Sequence, residues 1–304
     1  MSKNIAVEPK SGRFESLEAA VVAGGGVVSV PEVADALVWA DPAVPDDLPV
    51  VLGRCQRATW VGLPFAGIEP YIEHLDRAHV WTCAKGVYAR PVAEHALMLG
   101  LAGLRGLVRY SRVRHWDAPV GRNLIGGNVT IFGGGGITTE LVKLLGPFGC
   151  AITVVRRSDE PFPGASRTLD LGRRLEAIAG ADLVVLALAL TPQTTELMGQ
   201  AEFEAMPPHA WLINVARGGH VDNEALLRAV RSESIGGAAM DVTNPEPLVE
   251  GHPFWDEPRI VITPHVGNTP EMGVPLLAAH ITDNVRRFVG GDPLVGVVDV
   301  EAGY

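Results

Sequence analysis

Short apolar runs rich in β-branched residues alternate along this chain with longer stretches in which apolar residues recur every three or four positions. The runs at 129–132, 152–155, 183–190, 211–215 and 260–263 have the length and composition of buried strands, and each interval between them has room for a crossover helix. That rhythm predicts βαβ units on a mostly parallel sheet. After four consecutive glycines, Leu141, Leu144, Leu145 and Phe148 mark one face of a helix that Gly149 should stop. An earlier set of runs, at 36–39, 59–63 and 80–82, predicts a second α/β domain upstream. The segment from Pro91 to about Arg114 has no proline after its first residue and predicts one long helix bridging the two sets. Helical period returns at 276–289, and the tail that follows, with Val295, Val297 and Val298, is expected to return to the first domain. The expected domains are therefore 1–96 with 277–304, and 97–276.

Composition narrows the function. With 304 residues, 47% of them hydrophobic and 20% charged, the chain buries a substantial core. Thirty-five acidic against 25 basic side chains leave a charge of −10 and no run of Lys and Arg, so neither nucleic acid nor an anionic membrane is an expected partner. Cys55, Cys83 and Cys150 form no CxxC pair, which suits a reducing cytoplasm better than a disulfide framework or zinc ribbon. The N-terminus lacks the apolar segment of a signal peptide, and no apolar run approaches the ~18 to 20 residues of a bilayer span. His74 and His79 are five apart and no HExxH occurs, so no metal is expected.

Chemistry begins at Phe132-Gly133-Gly134-Gly135-Gly136-Ile137-Thr138, directly after a predicted strand and before a predicted helix. In a dinucleotide site the first glycine allows the tight turn and the second lets a pyrophosphate approach the backbone, while the helix N-terminus adds amide donors. Gly133 and Gly135 can fill those places, with Gly136 and Ile137 opening the helix. The third fingerprint position is Thr138, so the pattern is incomplete. At the end of the next strand, where an acidic residue would hold a ribose 2′-hydroxyl, the chain has Arg156, Arg157 and Ser158. Two guanidiniums and a hydroxyl suit a 2′-phosphate, so NADP(H) is preferred over NAD(H).

Three further segments follow predicted strands: 214–219 with Arg217, 240–247 with Asp241 and Glu246, and 263–267 with His265. Carboxyl ends of strands in a doubly wound sheet line the ligand crevice, which predicts that these residues converge. Reduction of a 2-keto acid needs a cation on the substrate carboxylate and carbonyl, and a proton donor for the resulting alkoxide. Arg217 and His265 can supply these, Glu246 would favour the imidazolium, and Asp241 could accept from the nicotinamide carboxamide.

The order of these motifs resembles the D-isomer-specific 2-hydroxyacid dehydrogenase family over nearly the whole chain. The resemblance is carried by Ala181-Asp182-Leu183, Thr191-Pro192-Gln193-Thr194-Thr195, Met206-Pro207, the Arg217 and Glu246 segments and Pro264-His265. It implies two flavodoxin-like or Rossmann-like domains with mostly parallel sheets and an active site in the interdomain cleft, in a homodimer. It implies Arg217, Glu246 and His265 as catalytic residues, and Thr191 and Ala216 at the cofactor. In the first half, 63–69, 85–88 and 92–95 are similar to the family's substrate loop and the start of its interdomain helix, with Ala66 and Gly67 amides meeting the substrate. This wording is nearest to the glyoxylate and hydroxypyruvate reductase branch, which often uses NADPH and makes a D-2-hydroxy acid. Departures are Thr138 and also Ala189, where the family usually has proline. The end at Tyr304 disfavours phosphoglycerate dehydrogenase, whose regulatory domain would follow. Some relatives are NAD(H)-binding corepressors that keep the same three residues, so an NAD(P)-binding sensor is the alternative reading; the lack of a long basic or disordered tail and the NADP-like arginines argue against it.

Overall fold

The computed structural model describes residues 2–11 and 13–301, which fall into two compact units, Met1–Tyr88 with Thr269–Tyr304, and Ala89–Asn268. The first unit begins with β1 (Asn4–Glu8), α1 (Phe14–Ala23), β2 (Val27–Val28), β3 (Ala36–Trp39), α2 (Leu48–Arg54), β4 (Trp60–Gly62) and β5 (Val80–Thr82). Its five strands lie in the order β2-β1-β3-β4-β5, all parallel. β1 and β2 escaped the sequence reading: β2 has two residues, too few to show any period.

The second unit contains α3 (Ala89–Leu104), α4 (Leu107–Tyr110), β6 (Asn128–Phe132), α5 (Gly136–Leu145), β7 (Ala151–Arg156) and β8 (Arg167–Asp170). It continues with α6 (Arg174–Ile178), β9 (Leu183–Leu186), α7 (Gln200–Ala205), β10 (Trp211–Asn214), α8 (Asn223–Arg231), β11 (Gly237–Met240) and β12 (Ile260–Ile262). The strands form one parallel sheet in the order β12-β11-β10-β9-β6-β7-β8. Successive residues point to opposite faces: Val184 and Leu186 enter one apolar cluster, Leu183 and Val185 the other. Both faces are thus covered, which is why these strands read as continuous apolar runs.

The chain then returns to the first unit through α9 (Pro270–Gly290). After it, the Cys83 amide donates to the Gly296 carbonyl and the Val298 amide to that of Trp81, so the tail joins β5 as expected. Two expectations need correction. The long helix from Pro91 to Arg114 is instead α3 and α4, because Gly106 takes a left-handed φ of +68° that breaks the helix. The division falls at Ala89 and Thr269 rather than 97 and 277, because α3 and α9 each belong whole to one unit.

Candidate active site

Strand order in the seven-stranded sheet reverses between β6 and β9, and ligands of open α/β sheets bind outside the strand ends at such a point. Gly133, just past β6, has φ +110°, and a Cβ there would stand 2.1 Å from the carbonyl oxygen of Ala187, just past β9. Only glycine lets the two chain segments approach this closely. Gly135 caps α5 with open space where its Cβ would be, so the first amides of the helix at Gly136 and Ile137 are approachable. Thr138 is fully buried and its hydroxyl donates to the Gly133 carbonyl at 2.9 Å. The residue that breaks the glycine fingerprint therefore ties the turn to the helix, and its polar atom is satisfied.

Arg156 ends β7, the neighbour of β6. Its side chain lies over the turn, with Cδ 3.0 Å from where a Gly134 Cβ would be. Its Nη2 donates to Ser158 Oγ at 3.0 Å and to Glu160 Oε2 at 3.1 Å. Arg157 is exposed. The residues fit a dinucleotide: a cradle that a Cβ would fill, helix N-terminal amides beside it, and a guanidinium against the turn.

On the other side of the reversal, the loops after β9, β10 and β11 are bonded to one another. The loop after β9 closes on itself through Thr194, whose hydroxyl accepts from the Thr191 amide and donates to the Ala189 carbonyl. Buried His220 reaches the Thr194 and Leu188 carbonyls at 2.8 and 3.3 Å, and its burial lowers its pKa. Asn214, buried at the end of β10, accepts from the Ala216 amide and donates to the Arg217 carbonyl. This clamp shapes the backbone that presents Arg217, whose Nη1 donates to the Ala216 carbonyl. At Gly218 an added Cβ would meet the Thr243 carbonyl carbon at 2.0 Å, so the Arg217 loop is seated on the loop after β11. There Glu246 Oε2 accepts from the Thr243 amide. Its other oxygen lies 2.6 Å from His265 Nδ1. A carboxylate can only accept, so Nδ1 carries the proton of that bond, and Nε2 lies on the other side of the ring from it. Both side chains are about half exposed.

Asp241, at the end of β11, is 3% exposed. Its Oδ1 accepts from the Thr263 hydroxyl at 2.6 Å and the Val266 amide at 2.9 Å, and lies 3.2 Å from His95 Nε2. Oδ2 accepts from the Gly267 amide at 3.0 Å. Burial alone would raise this carboxyl, yet the bonds from His95, Thr263 and the two amides outweigh it and bring it to about 2. The structure thus sets Asp241 beneath the loop of His265, whose backbone has φ +53° and whose amide bonds the Asp241 carbonyl. The sequence placed Asp241 at the nicotinamide and gave His95 no role; its signal was only a histidine in the first turns of a helix.

Ala66 and Gly67 belong to the first unit, in the loop after β4. That loop is held by the Tyr88 hydroxyl on the Pro64 carbonyl at 2.7 Å and the Ala84 amide on the Phe65 carbonyl. Ala66 is exposed and Gly67 half-buried, leaving their backbone accessible.

A doubly wound dinucleotide-binding sheet, with an arginine, a glutamate and a histidine carried on the loops at its strand ends, defines a nicotinamide-dependent oxidoreductase of hydroxy acids. Residues 96–267 match the model of the D-isomer specific 2-hydroxyacid dehydrogenase NAD binding domain, and the chain belongs to that family. A protein in the proB 3′ region of Corynebacterium melassecola is 32% identical, with 94% of this chain and 95% of that one covered. Glyoxylate/hydroxypyruvate reductase A of Serratia proteamaculans is 29% identical, over 88% and 87%. Among solved structures, a D-isomer specific 2-hydroxyacid dehydrogenase from Xanthobacter autotrophicus Py2 in complex with NADPH superposes with TM-score 0.85 at 25% identity, covering all of both chains. An NADPH-dependent glyoxylate/hydroxypyruvate reductase from Sinorhizobium meliloti in complex with NADP gives 0.84 at 25%, also over all of both chains.

Proposed function

We propose that the protein reduces a small 2-keto acid of the glyoxylate or hydroxypyruvate type to the D-2-hydroxy acid, with NADPH preferred to NADH, as a homodimer in the cytoplasm. The observation that carries the reading is the 2.6 Å bond between His265 Nδ1 and Glu246, beside a dinucleotide-type turn. The relatives named as glyoxylate/hydroxypyruvate reductases and the NADPH-bound neighbour support it. So do the three free cysteines, for a reducing compartment.

A reduced nicotinamide, when bound, would supply the hydride. The chain's residues do the rest: Arg217 orients the substrate carboxylate and polarises its carbonyl. Thr191 and Ala216 would hold the cofactor, and Arg156, Arg157 and Ser158 would bind its 2′-phosphate. Protonated His265 gives the proton from Nε2 to the alkoxide oxygen. Glu246 holds the ring in the tautomer and orientation this needs.

The test is the loss of reduced-nicotinamide absorbance with NADPH and NADH against glyoxylate, hydroxypyruvate, pyruvate and an aromatic 2-keto acid. Turnover should favour NADPH and a small acid, and drop about 100-fold or more in His265→Asn. Tight cofactor binding with no turnover of any acid would overturn the reading in favour of a nucleotide sensor.

A further inference from the structure

Arg156 is engaged within its own loop. Its guanidinium is ion-paired with Glu160 at 3.1 Å, four residues along the same loop. Two bonds to Ser158, from Nη2 to the hydroxyl at 3.0 Å and from Nε to the carbonyl at 3.3 Å, hold it in place. The two partners differ in freedom: the Arg156 side chain is 26% exposed and packed on the glycine turn, whereas that of Glu160 is 79% exposed. The arginine is the built part of the site and the glutamate the movable part.

We propose that Glu160 is a tethered competitor for the 2′-phosphate, occupying the guanidinium edge that the phosphate would take and so setting how far NADPH is preferred to NADH. This rests on the reading of Arg156 as the 2′-phosphate residue. Charge and donor number both set Glu160 against an incoming phosphate. An arginine offers a planar fork of donors that one anion can fill from one side, and two of its bonds are already spent on Ser158. A dianionic phosphate arriving there must displace a carboxylate and, until that side chain swings out, faces its charge at close range. An exposed ion pair is weak, so displacement costs little, but the penalty falls only on ligands that carry the 2′-phosphate. A ligand with a free 2′-hydroxyl brings no charge to this edge. Glu160 therefore trims the affinity for one cofactor and spares the other, whereas a carboxylate directly at the ribose would do the reverse.

The test measures the affinity of adenosine 2′,5′-bisphosphate and of adenosine 5′-monophosphate by calorimetry, using the full-length protein. Wild type, Glu160→Gln, Arg156→Gln and the double variant are compared. Glu160→Gln should tighten the bisphosphate about 3- to 10-fold at low ionic strength and leave the monophosphate unchanged, with the gain shrinking as salt is added. The NADPH to NADH ratio of kcat/KM should rise by the same factor. In the Arg156→Gln background the glutamate substitution should add nothing. No tightening in Glu160→Gln, equal tightening of both nucleotides, or a gain that persists without Arg156 would overturn the proposal. If Arg156→Gln leaves the bisphosphate affinity untouched, the assignment of Arg156 fails instead. Matching thermal midpoints of the four proteins would confirm that each is folded.

Discussion

Asp241 is ionised beneath a loop that contains one of the few non-glycine residues with positive φ, His265. A histidine in that conformation persists only where its surroundings hold it, and here the Asp241 carboxylate accepts from the two amides that follow it. Asp241→Asn would turn an NH2 donor toward either the Gly267 amide or the Val266 amide and Thr263 hydroxyl, leaving buried donors facing one another. The expected cost is about 1 to 3 kcal/mol, seen as a lower denaturation midpoint, with a fall in kcat larger than the change in NADPH affinity. The carboxyl also links stability to pH. Its folded pKa of about 2 lies below the ordinary 3.8, so its contribution is complete above about pH 4 and is lost as pH falls toward 2. Wild type should lose stability across that window, and Asp241→Asn should show a shallower loss. The sequence reading, which placed Asp241 at the nicotinamide, rested on its position at a strand end; the contacts that make it an anchor come from residues 263–267 and from α3.

At the scale of elements, what organises the cofactor side is the meeting of β6, α5 and the loop after β9. Gly133→Ala is strained twice, by its φ of +110° and by a Cβ 2.1 Å from the Ala187 carbonyl. It is expected to cost about 3 kcal/mol or more, measured by urea unfolding, and to weaken cofactor binding before it affects the first unit. The turn, the strand before it and the helix after it were all legible, because glycine spacing and apolar period are local signals. The split of α3 from α4 was not, since an isolated glycine inside a helical pattern does not announce which way its backbone will turn. Nor was β8, whose four residues Arg167 to Asp170 contain a single buried side chain.

For the molecule as a whole, the second unit leaves large apolar residues in water between α3 and β6. Trp116 is fully exposed, Ile125 is 72% exposed and Leu107 57%. A segment that exposes so much apolar surface fits an interface between copies of the chain, in keeping with the proposed homodimer. Light scattering should return about twice the 32.2 kDa of the chain, and Trp116→Glu with Ile125→Glu should shift it toward monomer; a monomeric wild type would refute this. The sequence by itself determined the alternation of strand and helix, the doubly wound class, the dinucleotide turn and the Arg, Glu and His that follow strand ends, since each is written in period, spacing or residue type within a short window. Only the tertiary structure decided that Glu160 sits on Arg156, that Asp241 and His95 support the His265 loop, and where one unit gives way to the other. Those are matters of which side chains meet once the chain has folded: the irregular loop from Arg156 to Glu160 has no period that would place its side chains, and contact between segments distant along the chain leaves no periodic trace in either of them.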